Sequence, residues 1–288
     1  MPCSPITERA RPLLGTCVSV RVEGLRPALA HAAIDAAFAE IAALHALMSF
    51  HQPDSDVSRL NRAAYRVPVR VDARTFEVLQ RALDLSARSD GVFDITIAPA
   101  LVAAHLLPAA SAAPAPDPAA NWRDIVLHGG GRVGFRRPLW LDLGGIAKGY
   151  AVDRAIEILA RHGAEQACVN AGGDLRIRGA RSEPVQLQCA VPDATSRPVI
   201  QLANAALASS GADPRVAADG HRHVHFDAAA QRAVDTRRFV SVWASSCMLA
   251  DSLTKVVMAR GCAARAVLDA HDAHAVLHET GSGWLQVA

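Results

Sequence analysis

Aspartate, glycine and lysine come together in this sequence in patterns suited to handling phosphate. The first is Asp142-Leu-Gly144-Gly145-Ile-Ala-Lys148, where an apolar run, Leu139 to Leu143, yields to a glycine pair and then to a helical pattern. Ala151, Ala155, Ile158 and Leu159 recur at helical spacing, and Gly163 follows as a stop signal. Paired glycines let backbone approach a ligand closely. The free N–H groups and positive dipole end of a new helix favour an anion, most often a phosphate. Lys148 stands where that helix begins. A plain strand-to-helix turn with a solvated lysine shows the same pattern, so this stretch alone leaves both readings open.

The second pattern lies in a helix expected over Ser246 to Arg260 and ended by Gly261. Asp251 and Thr254, three apart, share a face, with Lys255 beside them. A carboxylate and a hydroxyl near a phosphate turn suit a hard cation such as magnesium, which prefers oxygen ligands. Near a helix start, Asp251 would equally complement the dipole. The third pattern is His221, His223, His225 and Asp227, whose alternation on a strand puts the histidines on one face. That spacing is compatible with a metal, but exposed histidines on a polar strand face alternate in the same way. His45, on the apolar face of an early helix, reads as a packed residue. The run Gly129 to Gly134 lacks the strand and helix of a dinucleotide fingerprint and is set aside.

The elements that must position these residues follow from periodicity. Leu14 to Val22 alternates as a strand, and Pro27 to Met48 is an amphipathic helix with Ile34, Phe38, Ile41, Leu44 and Met48 on one side. Ser49 to Asn61 is polar and irregular, and a second helix covers Asp72 to Ser89 before the Asp90-Gly91 turn. Val92 to Leu101 reads as strand-like with Asp94 inside it, a carboxylate that needs a partner if buried. Leu139 to Leu143 reads as a short buried strand. Ala109 to Ala120 is an Ala/Pro tract, expected as an exposed loop or flexible insertion. Further strands are expected at Cys168-Val169, Leu175 to Ile177, Val199 to Leu202, Ala206 to Ser209 and Val240 to Ala244, with a closing hairpin at Ala275 to Leu277 and Trp284 to Val287. Strand pairs interrupted by helices give an α+β class, with mixed or antiparallel sheets carrying helices on one face, rather than a repeated βαβ register.

The chain of 288 residues can bury a large core. Its 30 basic and 28 acidic residues are interspersed, which excludes a nucleic-acid groove or polybasic anchor as its organising feature. No uninterrupted apolar run reaches the roughly 18 residues of a membrane helix, so no integral membrane segment is expected. Six scattered cysteines without CxxC pairing point to small core residues in a reducing compartment. Met1 to Arg11 carries Glu8, Arg9 and Arg11 without an apolar core. A cytoplasmic location is therefore expected, or a periplasmic one if a leader has been removed.

Taken in order, the pieces resemble the ApbE family of FAD:protein FMN transferases. They are Leu14-Gly15-Thr16, the polar segment Met48 to Asn61, Gly91 to Thr96, Asp142 to Tyr150 (DLGGIAKGY), Asn170 to Asp174 (NAGGD), Ser209 to Gly211, and Cys247 to Thr254 with Gly261. They run through most of the chain as one domain, 1–288, and the resemblance implies a two-lobed, T-fold-like unit with FAD between the lobes. It also implies magnesium at the FAD pyrophosphate, and a threonine hydroxyl of an acceptor flavoprotein that displaces AMP and leaves FMN joined by a phosphoester. By the same resemblance Asp142 and Lys148 would contact FAD, and Gly145 and Asp251 would hold magnesium with Thr254 and Lys255 beside them. Val92, Phe93 and Asp94 would line the flavin nucleotide, and Asn170 would contribute to the cofactor site. Leu14 falls where members often have methionine, and Phe50 or His51 where an aromatic, commonly tyrosine, is found. The family's His-x-x-Asp-Pro segment is represented only by His223-Val-His225-Phe-Asp227-Ala. His223 is the expected catalytic histidine, with Asp227 and Lys148 in the same machinery and His225 as the alternative. Where the family has threonine four residues after its aspartate, this chain has Lys255, whose ammonium would exclude magnesium or substitute for part of its charge. Two other functions fit the residues: an FAD pyrophosphatase giving FMN and AMP, and a non-catalytic FAD-binding protein. A monomer or homodimer is expected.

Overall fold

A computed structural model describes residues 5–110, 112–187, 197–211, 225–234, 238–279 and 283–288. Its main element is an eight-stranded sheet whose strands follow one another in chain order. They are β1 (Ile6–Leu13), β2 (Thr16–Glu23), β3 (Gln166–Ala171), β4 (Asp174–Arg178), β5 (Ala206–Gly211), β6 (Arg238–Ala244), β7 (His274–Glu279) and β8 (Gly283–Gln286). Every neighbouring pair is antiparallel. Three helices pack against it: α1 (Pro27–Met48), α2 (Ala147–Arg161) and α3 (Cys247–Arg260).

Alternation along the strands assigns the two faces. Val18, Val20 and Val22, with Val169, Ala208, Val240 and Val242, join the core that also takes Ile34, Phe38 and Ile41 of α1, Leu159 of α2 and Leu253 of α3. Their neighbours Leu175, Ile177, Leu207 and Trp243 turn the other way. There they pack with Leu187, Ile200 and Leu202 beside a ribbon formed by Glu183–Gln186 and Val199–Leu202. The α+β class with helices gathered on one sheet face is therefore what the strand-and-helix pattern led us to expect. By length and composition α1 could cross a membrane; its Ala30, Ala33, Ile34, Ala37, Phe38, Ile41, Leu44 and Met48 are buried in this core.

A three-stranded sheet (Val69–Arg70, Arg132–Phe135, Ile125–His128) and the helices Asp56–Ala63 and Ala73–Arg88 extend the same core on the far side of α1. Asp56 ties these helices together: its carboxylate accepts from the Asp72 amide at 2.9 Å and the Thr75 hydroxyl at 2.8 Å.

Four local expectations change. The strand read from Leu14 begins two residues later, because Leu14 and Gly15 form the tight turn between β1 and β2, with φ of 55° and 71°. Positive φ at both central residues matches the twist of the hairpin strands, at a conformational cost for leucine. Leu139 to Leu143 is buried and extended but joins no sheet. The Asn61 side chain takes the place of a strand partner, accepting from the Leu141 amide at 2.8 Å and donating to its carbonyl at 3.0 Å. Val92 to Leu101 is a turn followed by the short helix Ala98–Ala103. Within the stretch read as irregular, Asp56–Ala63 is helical and capped by Ser55, whose hydroxyl accepts from the Ser58 amide at 3.0 Å. The described residues of the Ala/Pro tract form no regular structure but are tied down: Trp140 Nε1 donates to the Pro114 carbonyl and the Asp117 amide to that of Pro138, both at 2.8 Å.

Candidate functional site

The site is built where α2 and α3 begin, because each helix supplies the carboxylate that caps the other. Asp153 of α2 accepts from the Cys247 and Met248 amides, each at 2.9 Å, which open α3. Asp251 of α3 accepts from the Gly149 amide at 3.1 Å in the first turn of α2. These amides have no partner within their own helices, so the two carboxylates satisfy donors that would otherwise be buried and unpaired. Reciprocal capping needs the helices to touch, and Gly149 allows it. A β-carbon there would come within 2.6 Å of the Cys247 carbonyl carbon and 2.8 Å of Met248 Cα.

This crossing concentrates charge. Lys148 Nζ lies 2.7 Å from Asp174 Oδ2, and Lys255 Nζ lies 2.6 Å from Asp251 Oδ1. Both carboxylates are buried, whereas the lysine side chains keep 32% and 24% exposure. Burial pushes the Asp174 carboxyl above the usual range and the nearby Asp251 charge adds to this, against the pull of Lys148 and Lys255. For Lys148, burial works against the ammonium, but Asp174 and Asp251 together outweigh it, so its pKa is raised.

Two cavities open on either side of the glycine turn and share Asp142 and Gly144 as a common wall. One, of about 370 Å³, is lined by Leu14, His45, Met48, Phe50, His51 and Lys148. The other, of about 170 Å³, is lined by Val92, Phe93, Asp94, Gly145, His225, Phe226 and Lys255. Asp142 holds the partition: its Oδ2 accepts from the Gly144 amide at 3.0 Å, and its own amide donates to the Ile95 carbonyl at 2.8 Å. Burial raises its carboxyl pKa against that hydrogen bond.

Most residues singled out from the sequence thus meet around one turn. Asp94 lines the smaller cavity, but its carboxylate serves the loop: Oδ1 accepts from the Thr96 amide and hydroxyl, both at 2.8 Å, and Oδ2 from the Trp122 amide at 3.2 Å. Burial still raises its pKa. Asn170 closes the Gly172-Gly173 turn by accepting from the Gly173 amide at 2.9 Å, and lines neither cavity. Asp227 is buried and accepts from the Ala230 amide at 3.0 Å. His223, like His221, lies outside the described residues. His225 stands in the wall of the smaller cavity. Sequence reasoning passed over Asp153, and named Asp174 only as the end of the Asn170 to Asp174 piece without giving it a role. Asp174 carried a signal, a carboxylate opening a strand straight after two glycines; Asp153 reads only as an ordinary helix aspartate.

The expected magnesium can be tested against these residues. Asp251 Oδ1 is taken by Lys255 and Oδ2 by the Gly149 amide. The Lys255 stem lies along Gly145, where a β-carbon would touch its Cε at 3.5 Å. The lysine therefore fills the space between Gly145 and Asp251, and the residues as arranged do not fit a divalent ion there. Among the described residues, no group of three or more His, Cys, Asp or Glu side chains could hold one elsewhere. The described cysteines, Cys17, Cys168, Cys247 and Cys262, are all free thiols.

Known proteins share this fold. The flavin transferase ApbE from Vibrio cholerae superposes with a TM-score of 0.82 at 23% identity, covering 98% of this chain and 96% of its own. The apo form of Pseudomonas stutzeri flavinyl transferase ApbE gives 0.82 at 21% identity, covering 99% and 94%. In sequence, an FAD:protein FMN transferase of Vibrio cholerae is 30% identical over 231 residues, 74% of this chain and 69% of that protein. One of Treponema pallidum is 30% identical over 185 residues, 59% of this chain, and the match spans only about half of its length, 51%. The family model described as the ApbE family matches residues 14–277. With that model running across both cavities and the crossing between them, the chain belongs to the ApbE family.

Proposed function

We propose that this protein transfers FMN from FAD to a threonine hydroxyl of an acceptor protein and releases AMP. One observation carries the reading: two cavities of unequal size meet at the Asp142–Gly144 partition, with Lys148 in the wall of one and Lys255 in the wall of the other. A ligand made of two bulky ends joined by a diphosphate matches that layout, its charged link lying at the glycine turn between two cations. Relatives named FAD:protein FMN transferase support the same choice.

In this reading the larger cavity, with Phe50, His51 and Leu14, takes the adenosine end. The smaller one, walled by Val92, Phe93 and Asp94, takes the flavin nucleotide. The acceptor threonine Oγ forms a bond to the FMN phosphorus as the bond to the AMP oxygen breaks. AMP leaves with the electron pair, and the threonine proton passes to a base. Phosphoryl transfer of this kind rests on alignment and on offsetting charge at the oxygens. Lys148 serves the second need, held charged by Asp174 and Asp251. A histidine suits the base at neutral pH. His223 is our assignment and His225, already in the cavity wall, the alternative; His223→Gly and His225→Gly variants separate them. No step is assigned to magnesium, because the residues do not fit it.

Mass spectrometry of a candidate acceptor after incubation with the protein and FAD tests the reaction. An FMN mass on a threonine, with AMP in equal amount, is the expected result. AMP release without labelled acceptor would show a pyrophosphatase instead, and tight FAD binding without turnover a non-catalytic flavin protein.

A further inference from the structure

We infer that the Lys255 ammonium is a tethered counter-ion standing where a divalent cation would otherwise be held, so that this protein binds and uses its diphosphate ligand without magnesium. The identity of that ligand rests on the function proposed above; the occupation of the cation's place does not.

Three oxygens surround the ammonium. Lys255 Nζ is 2.6 Å from Asp251 Oδ1, 3.0 Å from Thr254 Oγ1 and 3.3 Å from Ser210 Oγ. An ammonium has three N–H donors, and here each has an acceptor. A carboxylate and two hydroxyls are also the kind of oxygen set a hard cation takes. The two hydroxyls are 2.8 Å apart, and Thr254 donates to the Asp251 carbonyl at 2.6 Å, which fixes their positions. The cage is built, and it is filled from within the chain.

Charge leads to the same conclusion. Asp174 is offset by Lys148 and Asp251 by Lys255, one to one. Asp153, the third carboxylate of the crossing, is paired with Arg176 at 2.7 Å, so among the described residues no carboxylate there is left to draw in a dication. An arriving ion would have to displace the ammonium from Asp251, and the displaced charge would remain on a short tether beside it. Bound through one flexible stem, the ammonium brings one positive charge where a dication would bring two. FAD affinity should therefore be indifferent to magnesium but fall as ionic strength rises.

The test uses the intact protein and Lys255→Thr, which restores a hydroxyl at that position, with circular dichroism to confirm that the variant is folded. Mg²⁺ and Mn²⁺ are titrated by calorimetry without flavin, and FAD binding is followed by flavin fluorescence in EDTA and in millimolar Mg²⁺. We expect no metal binding by the wild type and a wild-type Kd for FAD that changes less than about twofold between the two conditions. For Lys255→Thr we expect FAD binding weakened at least about tenfold in EDTA, the scale of one unit charge removed from beside the diphosphate, and recovered in Mg²⁺. Stoichiometric Mg²⁺ binding by the wild type, or a wild-type Kd that worsens tenfold in EDTA, overturns the inference while leaving the flavin reading intact. Absence of FAD binding in every condition overturns the flavin reading. In that case a metal titration positive only for Lys255→Thr still upholds the ammonium's place.

Discussion

Two charged regions of this protein are built on opposite terms. At the α2–α3 crossing, Asp153, Asp174 and Asp251 are buried and matched to backbone amides and cations, and burial pushes Asp153 and Asp174 toward the protonated form. At the outer edge around β2 and the Glu183–Gln186 strand, Arg21 pairs with Glu183 and Arg181 reaches the buried Glu23 at 2.6 Å, the two arginine side chains keeping 28% and 58% exposure. There burial would raise Glu183, but Gln166, Arg21 and Arg181 outweigh it and hold its pKa low. The outer cluster favours the charged state because each carboxylate faces an arginine that keeps contact with water. The inner one keeps charge where the medium resists it, and so depends on every partner being present. Stability and the candidate chemistry therefore share the inner region.

That contrast can be broken by mutation. The largest expected effect is from Gly149→Ala, whose methyl would force α2 and α3 apart; we expect a loss of about 3 kcal/mol in urea unfolding. Asp153→Ala, which strips two amides of α3 and Arg176 of their acceptor, should cost about 2 kcal/mol in the same measurement.

The third effect is on pH dependence. Because the folded state raises the Asp142 pKa, its contribution is fully present below the unfolded value of about 4 and is lost as pH rises through the folded pKa. Unfolding free energies from pH 4 to 8 should therefore move against the wild type, relative to Asp142→Asn, as pH increases. Glu183 has the opposite sign: its pKa is lowered, so its contribution is present above the unfolded value and fades in acid. The smallest effect is expected from the exposed Arg181→Ala, which should leave the thermal midpoint unchanged. A loss there as large as that from Asp153→Ala would remove the distinction between the regions.

Much of this arrangement is legible in the sequence. The glycine turn, Lys148, the α1 and α3 helices and several strands of the sheet follow from local periodicity and stop signals; the edge strand β1, Ile6–Leu13, is not read from the sequence. Ser55 before Asp56, with Val57 and Leu60 on one face, was a readable helix start inside a stretch that looked merely polar. What could not be read is what depends on distant partners. Leu139 to Leu143 has the composition of a strand, yet its hydrogen bonds come from the side chain of Asn61, 80 positions away. The aspartate that caps α2 is 102 positions from Gly149, and nothing local distinguishes it from a dipole-complementing residue. Lys255 looked like a neighbour of the carboxylate; only the fold shows that it fills the space toward Gly145.

The mutual capping of α2 and α3 also bears on how the molecule opens. Neither helix can keep its first turn protected once the other has moved, so the amides of Gly149, Cys247 and Met248 should exchange with solvent as one unit, at one shared free energy. Rim residues such as His51 and Leu14 lie outside that unit and can fluctuate on their own. The crossing behaves as a clasp: breathing at the mouth leaves it shut, and releasing it dismantles the floor of both chambers together.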